Sequence, residues 1–303
     1  AQHWRGIRRL EGIALAPFLR QDGSIRSCRG YDAGSGWLLV GDVEVAVPPN
    51  PTQADARAAA EQLLEVVEDF SFATAADRSV WLAAVLTLVG RTAIDGPCPL
   101  FLFDAARQGS GKGLASNLVA AIALGEREVP TCIYTRRGEE GRKLITSLLL
   151  AGHRALRFDN VEGTFGDPAI AAALTSNRWR DRMLKTNTTV DLPMKIVWLA
   201  TANNAILSAD MLRRVLVSRI ELLDERPEER TGFRHPDLIG WCLDNRPRLL
   251  GAALTILAAF LRAGSPQQAL PAMGSFEAWS RLVRGAIVWV ALPDPAETRA
   301  ALR

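Results

Sequence analysis

The chain has 303 residues, 48% of them hydrophobic and 23% charged, enough for two or three units with cores of their own, which excludes an intrinsically disordered protein. Its formal net charge of +3 is too small to argue for a nucleic-acid partner unless the positive residues cluster. No apolar run reaches the roughly 18–20 residues of a membrane span, and the opening AQHWRGIRRL lacks the basic-then-apolar pattern of an export signal, so a soluble cytoplasmic protein with no membrane partner is expected.

Residues 1–50 read as short alternating segments broken by turns. APFLRQDGSIR carries an Asp-Gly turn signal, and GYDAGSGWLLVGDVEVAVPPN alternates until Pro48 and Pro49, which predicts a small β-rich unit. Residues 51–97 predict helices. In ADARAAAEQLLEVVEDF, Leu63, Leu64, Val66, Val67 and Phe70 recur at helical spacing behind Thr52 as N-cap; ADRSVWLAAVLTLVGRTA is apolar on most faces, hence buried, and stops near Gly96-Pro97. Over residues 98–224 the continuous apolar runs PLFLFDA, PTCIYT, RALRFDN and KIVWLATANN alternate with helices, as a parallel sheet covered on both faces requires. The expected fold class is α/β: a P-loop core with a parallel sheet, preceded by the β-rich unit and the helical segment. Residues 225–303 predict a C-terminal helical region, with HPDLIGWCLDNRPRLLGAALTILAAFLRAG and SFEAWSRLVRGAIVWVAL parted by a turn-rich spacer.

The most informative stretch lies between the first core strand and the helix LASNLVAAIALG. Gly109, Ser110, Gly111, Lys112 and Gly113 form a loop whose backbone N–H groups can face an anion at a helix start while Lys112 reaches the β- and γ-phosphates. The P-loop pattern is met imperfectly: Ala106 replaces its first glycine, and Gly113 replaces the Ser/Thr whose hydroxyl binds Mg²⁺, a position that water can fill. Asp159, ending the run RALRFD, is the expected metal carboxylate. Its neighbour is Asn160 where many such ATPases carry Glu, which leaves two readings open, Glu162 as the base or Asn160 as a group that orients water. Asn203, ending KIVWLATAN, is placed to sense a γ-phosphate. Arg213 and Arg214, with Arg219 beyond them, are expected to reach a phosphate held by a neighbouring subunit. Cys28, Cys98, Cys132 and Cys242 form no CxxC pair and no histidine adjoins them, so reduced thiols are expected and zinc is not.

These pieces, in this order, resemble the AAA+ ATPase modules of phage, plasmid and integrative-element replication proteins, which are close to superfamily 3 helicases and often fused behind a primase. The matching strings are DGSIRSCRGYD, ADARAAAEQLLEVVEDFSF, GSGKGLA, LRFDNVEG, ALTSNRWRDR, ATANN, DMLRRVLVSRIEL, RHPDL and GSFEAWSRLVRGAIVW, spread over roughly residues 11–295. The resemblance implies an AAA+ core that binds ATP through Lys112 and Mg²⁺ through Asp159, a sensor at Asn203, an arginine acting in trans from Arg213 or Arg214, and a ring of six subunits on single-stranded DNA. GKG and DN are similar to variants that these modules tolerate. A hairpin before the sensor strand is implied to point into the pore. Here that segment is RWRDRMLKTNTTVDLPMKIV, with Arg178, Arg180, Arg182, Lys185 and Lys195 against Asp181 and Asp191, and with Thr186, Asn187 and Thr188 at its tip. Such a hairpin would follow a phosphate backbone with little base preference. Arg136, Arg137, Arg142 and Lys143 form a second basic run. Because residue 1 is Ala, the chain reads as a piece of a longer polypeptide, to which a primase can belong. Two competing classes stay in view: a nucleotide-gated DNA-binding scaffold or loader with little hydrolysis, suggested by Gly113 and Asn160, and a small-molecule P-loop kinase, which the sensor and arginine pattern disfavours.

Overall fold

The computed structural model describes residues 7–134, 138–182, 188–221 and 232–302. Strands β1 (Gly12–Ala14), β2 (Phe18–Leu19), β3 (Ile25–Arg26), β4 (Gly30–Asp32) and β5 (Trp37–Leu39) form the β-rich N-terminal unit, a three-stranded sheet in the order β1-β5-β4 beside the hairpin β2-β3. The Asp-Gly signal is that hairpin's turn. Gly23 has φ +84°, a left-handed conformation that glycine adopts without a Cβ clash, while the Asp22 carboxylate accepts from the Ser24 N–H at 2.9 Å. The alternation beyond residue 40 forms no strand. Val43, Val45 and Val47 instead pack on the main core, and the chain passes so close to Gly251 that a Cβ there would meet the Ala46 carbonyl at 2.8 Å.

Helix α1 (Gln53–Leu64) starts at Thr52 as expected, with a reciprocal capping box to Asp55. Helix α2 (Ala75–Val89), capped by Thr74, is buried on nearly every side. Then follow β6 (Leu100–Ala105), α3 (Lys112–Ala123), β7 (Thr131–Ile133), α4 (Gly138–Leu150), β8 (Ala155–Val161), β9 (Thr164–Phe165), α5 (Pro168–Leu174), β10 (Arg178–Arg182), β11 (Thr189–Pro193), β12 (Val197–Asn203), β13 (Ile206–Leu207) and β14 (Val215–Ile220). The five-stranded sheet has the order β14-β6-β12-β8-β7, and every neighbouring pair is parallel.

Both faces are covered at β14, β6, β12 and the first half of β8, which is why these strands read as unbroken apolar runs; the run PTCIYT carries the same expectation, but its strand β7 lies at the sheet edge and Ile133 is 82% exposed. Phe101, Phe103, Val197 and Leu199 point to a core shared with α1, α2, α3 and the C-terminal helices. Leu100, Leu102, Trp198 and Ala200 point to a second core beneath α4 and α5. The expected α/β core, N-terminal unit and helical regions are therefore all present.

The C-terminal region contains α6 (Leu238–Asp244) and α7 (Arg246–Arg262), then α8 (Glu277–Trp279), a π-helical turn (Ser280–Arg284) and α9 (Gly285–Trp289). The long predicted helix from His235 onward is divided at Asn245, just ahead of Pro247. Arg284, only 1% exposed, is held by Asp294 at 2.9 and 2.5 Å and by the Pro271 carbonyl at 3.0 Å. Removing one partner of a buried ion pair strands the other charge. Asp294→Ala is therefore expected to cost about 3–5 kcal/mol in a urea titration, and the double change Arg284→Met with Asp294→Leu much less.

Candidate nucleotide site

The site is built at the carboxyl ends of three adjacent strands, β6, β12 and β8. Register sets the distances: Asn203 pairs with Ala105, so the end of β12 lies beside the strand that feeds the glycine loop. Gly109 and Gly111 have φ +75° and +83°, and the Phe70 ring lies where a Cβ on Gly111 would approach within 3.0 Å, so Gly111 is required for its backbone and for its closeness. Lys112, the first residue of α3, is buried. Its Nζ donates to the Arg107 carbonyl, Ser110 Oγ and Asn203 Oδ1, each at 2.8 Å. Burial pushes this ammonium below its ordinary range, and the charges of Asp104 and Asp159 partly offset that.

Asn203 donates in turn from Nδ2 to Asn160 Oδ1 at 3.0 Å, and Asn160 Nδ2 lies 3.3 Å from Glu162 Oε1. Lys112, Asn203, Asn160 and Glu162 thus form one chain of contacts. Asp159 stands beside it: Thr201 Oγ1 donates to its Oδ1 at 2.8 Å, and the Arg157 guanidinium lies 3.2 Å from the same oxygen. Thr201 Oγ1 also accepts from the Asn160 N–H at 2.9 Å. Here β8 carries one residue more than its partner. Phe158 pairs with Ala200, but Val161 pairs with Ala202, and Asn160 takes φ +45°. This is a β-bulge, a device that re-aims side chains, and asparagine is among the residues that tolerate the left-handed conformation best.

Gly113 brings no hydroxyl. Its surroundings hold Arg157, whose Nη1 donates to Ser116 Oγ at 2.8 Å, Asn117 Oδ1 at 2.7 Å and the Gly113 carbonyl at 3.3 Å. A Mg²⁺ ion would find one carboxylate, with Asp159 Oδ2 taking no protein donor among the described residues. Among the described residues no group of three or more acidic, histidine or cysteine side chains is placed to hold a metal ion. That donor set fits an ion that keeps its waters and arrives with phosphates, as Mg²⁺ commonly does.

A cleft of about 290 Å³ adjoins the glycine loop, walled by Phe70, Leu114, Ile220, Phe233, His235 and Ile239. His235 is stacked on Trp241 at 4.2 Å. An apolar, partly aromatic cleft against a glycine loop suits a planar ring. Its composition from Phe70, the end of β14 and the segment ahead of α6 was not readable from spacing, because three distant segments meet there.

Asp104 is a further residue that sequence reading missed. It is buried at the end of β6, accepts from Arg219 Nη1 at 2.6 Å and from the Ala205 N–H at 3.1 Å, and burial pushes its carboxyl up. The only signal was a carboxylate closing an otherwise apolar run. Arg219, facing Asp104 in the register, also donates to Asn204 at 2.9 Å.

Arg213 and Arg214 are not part of this assembly. They precede β14, where the Arg214 carbonyl accepts from the Leu100 N–H, at the opposite end of the sheet from Ala105. At about 3.3 Å per residue the strand alone separates them from the glycine loop by roughly 17 Å. Both are held by Asp210, at 3.1 and 2.9 Å.

On the hairpin β10-β11, Arg182 is exposed, and Lys185, Thr186 and Asn187 lie outside the described residues. Arg178 and Arg180 share Asp191, at 2.7 and 3.1 Å, and Arg142 pairs with Asp181 at 3.0 Å. In the second basic run Lys143 pairs with Glu140 at 2.8 Å, while Arg136 and Arg137 lie outside the described residues. Much of the clustered charge is thus neutralised locally. Lys195 stands below the hairpin, where its Nζ donates to the Ile94 carbonyl at 3.0 Å. Among the described residues no helix is long and apolar enough to cross a membrane.

No family model and no curated protein matches the chain. Among solved structures, the apo C-terminal region of NrS-1 is similar over 76% of this chain and 52% of its own, at 14% identity and a TM-score of 0.47. The JCV helicase is similar over 79% of this chain and 67% of its own, at 10% identity and a TM-score of 0.33. The chain spans about half the length of the NrS-1 region.

Burial, followed by the charge of Arg91, pushes the Lys195 ammonium down to about 8. An unfolded lysine titrates near 10.4, so at intermediate pH the unfolded chain binds more protons and stability rises with pH. Relative to Lys195→Met, the wild-type protein is expected to gain of order 1–3 kcal/mol between about pH 7.5 and about pH 10, read from denaturant unfolding at each pH; a constant difference would contradict the burial.

Proposed function

We propose that the chain is the ATP-hydrolysing module of a DNA helicase or translocase in a mobile-element replication protein. It works as a ring, of six subunits by the family resemblance, on single-stranded DNA. The observation that carries this reading is the 2.8 Å contact between Lys112 Nζ and Asn203 Oδ1, with the Asp159 strand next in the sheet. A phosphate-loop ammonium, a sensor amide and an acidic residue meeting at three strand ends is what phosphoryl chemistry needs.

In this reading the N–H groups of Gly109 to Gly113 and Lys112 bind the phosphates, and the cleft by Phe70 takes the base. Lys112 exchanges its neutral oxygens for phosphate oxygens, which are stronger acceptors for an ammonium. Bound Mg²⁺, held through Asp159, supplies neutralising charge on the phosphates. Asn203 and Asn160 orient the attacking water, and Glu162, within reach of the Asn160 amide, is the group available to accept its proton. Arg213 and Arg214, too far to serve their own site, act on the neighbour's after release from Asp210. Arg182, Lys185 and Thr186 on the hairpin are assigned to the DNA backbone.

A second reading, a nucleotide-gated DNA-binding scaffold or loader with little hydrolysis, is favoured by Arg157. Its guanidinium would lie 4.0 Å from a Cβ at position 113 and pairs with Asp159 at 3.2 Å. It requires ATP-dependent assembly with near-zero turnover.

ATP turnover with and without single-stranded DNA separates these. Lys112→Ala is expected to lower turnover at least about 100-fold, and Asn203→Ala to lower kcat by about 100-fold with KM little changed. Lys112→Ala and Arg214→Ala subunits, each inactive alone, are expected to regain part of the activity when mixed, because mixed interfaces contain one intact site. Turnover indifferent to both Lys112→Ala and Asp159→Ala would end the hydrolase reading.

A further inference from the structure

A second cavity, of about 540 Å³, lies away from the glycine loop, between the N-terminal unit, the turn after α2 and the base of the hairpin β10-β11. Its wall includes Trp37, Arg91, Asp95, Arg178 and Lys195. Arg91 is 2% exposed, yet it forms no ion pair among the described residues. It donates to the Ile94 carbonyl at 3.0 Å and the Met194 carbonyl at 2.7 Å, and its buried Nε has no partner. Lys195 donates to that same Ile94 carbonyl. Behind the wall, the Arg154 guanidinium lies 5.3 Å over the Trp37 ring, reaches only the Leu88 carbonyl, and also leaves its buried Nε unpartnered. The charge of Arg91 is felt by both Lys195 and Arg154.

This arrangement is unfavourable as it stands. Like charges are drawn together out of water, their direct hydrogen bonds go to neutral carbonyls, and buried N–H donors are left unused. Asp95 and Glu11 offset the charge of Lys195 in part and Glu126 that of Arg154, but among the described residues no acid forms an ion pair with any of the three. Glu11 pairs with Arg9 at 2.7 Å, Asp22 accepts from Ser24 at 2.6 Å, Asp32 is taken by Arg20 at 2.6 Å and Asp191 by Arg178 at 2.7 Å, while Asp95 is exposed. A cation does not fit among arginines.

We infer that this cavity binds a compact phosphate-bearing anion, a pyrophosphate group held by Arg91 and Lys195. Guanidinium and ammonium together suit it: the planar fork takes paired oxygens, and the lysine supplies a point charge. The group can be free pyrophosphate or the diphosphate of a nucleotide, and the site is independent of the nucleotide cleft.

Calorimetric titration with inorganic pyrophosphate, then with ADP, is carried out on the full chain carrying Lys112→Ala. Binding is expected to persist, to weaken about tenfold or more when Lys195→Met is added, and to strengthen several-fold with Asp95→Asn, whose exposed acid repels the ligand. The exposed Asp95 variant keeps the test decisive if the Lys195 variant does not fold. ADP that binds as tightly as pyrophosphate, with the same dependence on Lys195, assigns the nucleotide diphosphate; weaker ADP assigns the free anion. The inference is overturned if neither ligand binds, if binding ignores both Lys195→Met and Asp95→Asn, or if only a single-stranded oligonucleotide binds in a Lys195-dependent way.

Discussion

The ammonium of Lys112 is the charge around which the carboxyl end of the sheet is arranged. It is buried at a helix start, where the backbone already carries partial positive charge, so it must be met by oxygen from several directions. The loop supplies the Arg107 carbonyl and Ser110, and Asn203 on β12 supplies the rest. Asn203 can do so only because it pairs with Ala105 in the register, and it then passes the constraint to Asn160 on the next strand. A shift of β12 by one residue would turn Asn203 to the opposite face and leave the ammonium short of an acceptor.

Much of this was legible in the sequence because it depends on local pattern. Unbroken apolar runs identified strands buried on both faces, and Thr52 marked the start of α1. A glycine loop between strand and helix, with Asp159 and Asn203 ending later strands, defined the site without a contact map. What could not be read depends on chain segments meeting across long separations. Asp104 and Arg219 are 115 positions apart and find each other only through the pairing of β6 with β14. The strand expected after residue 40 failed for a similar reason. Val43, Val45 and Val47 have a strand's alternation, but the main core takes their side chains and the backbone gains no ladder partner.

Charge taught the opposite lesson. The basic runs looked like surfaces for a polyanion when counted along the chain, yet Asp191 engages two arginines and Asp181 a third. Exposed pairs of this kind contribute little to stability, but they do lower the field a passing phosphate would feel. At Arg91, which forms no ion pair among the described residues, the positive charge is enclosed, and no periodicity in the sequence announces it.

The bulge in β8 also limits what can stand in place of Asn160. At Asn160 the backbone is left-handed because one surplus residue is accommodated between Phe158 and Val161. A glutamate placed there by a single codon change would inherit that backbone, which longer side chains resist, and would point wherever the bulge directs it. Any replacement at position 160 is thus chosen by the backbone before it is chosen by chemistry: the bulge sets the direction of the side chain, and the contact from Asn203 sets how long it can be.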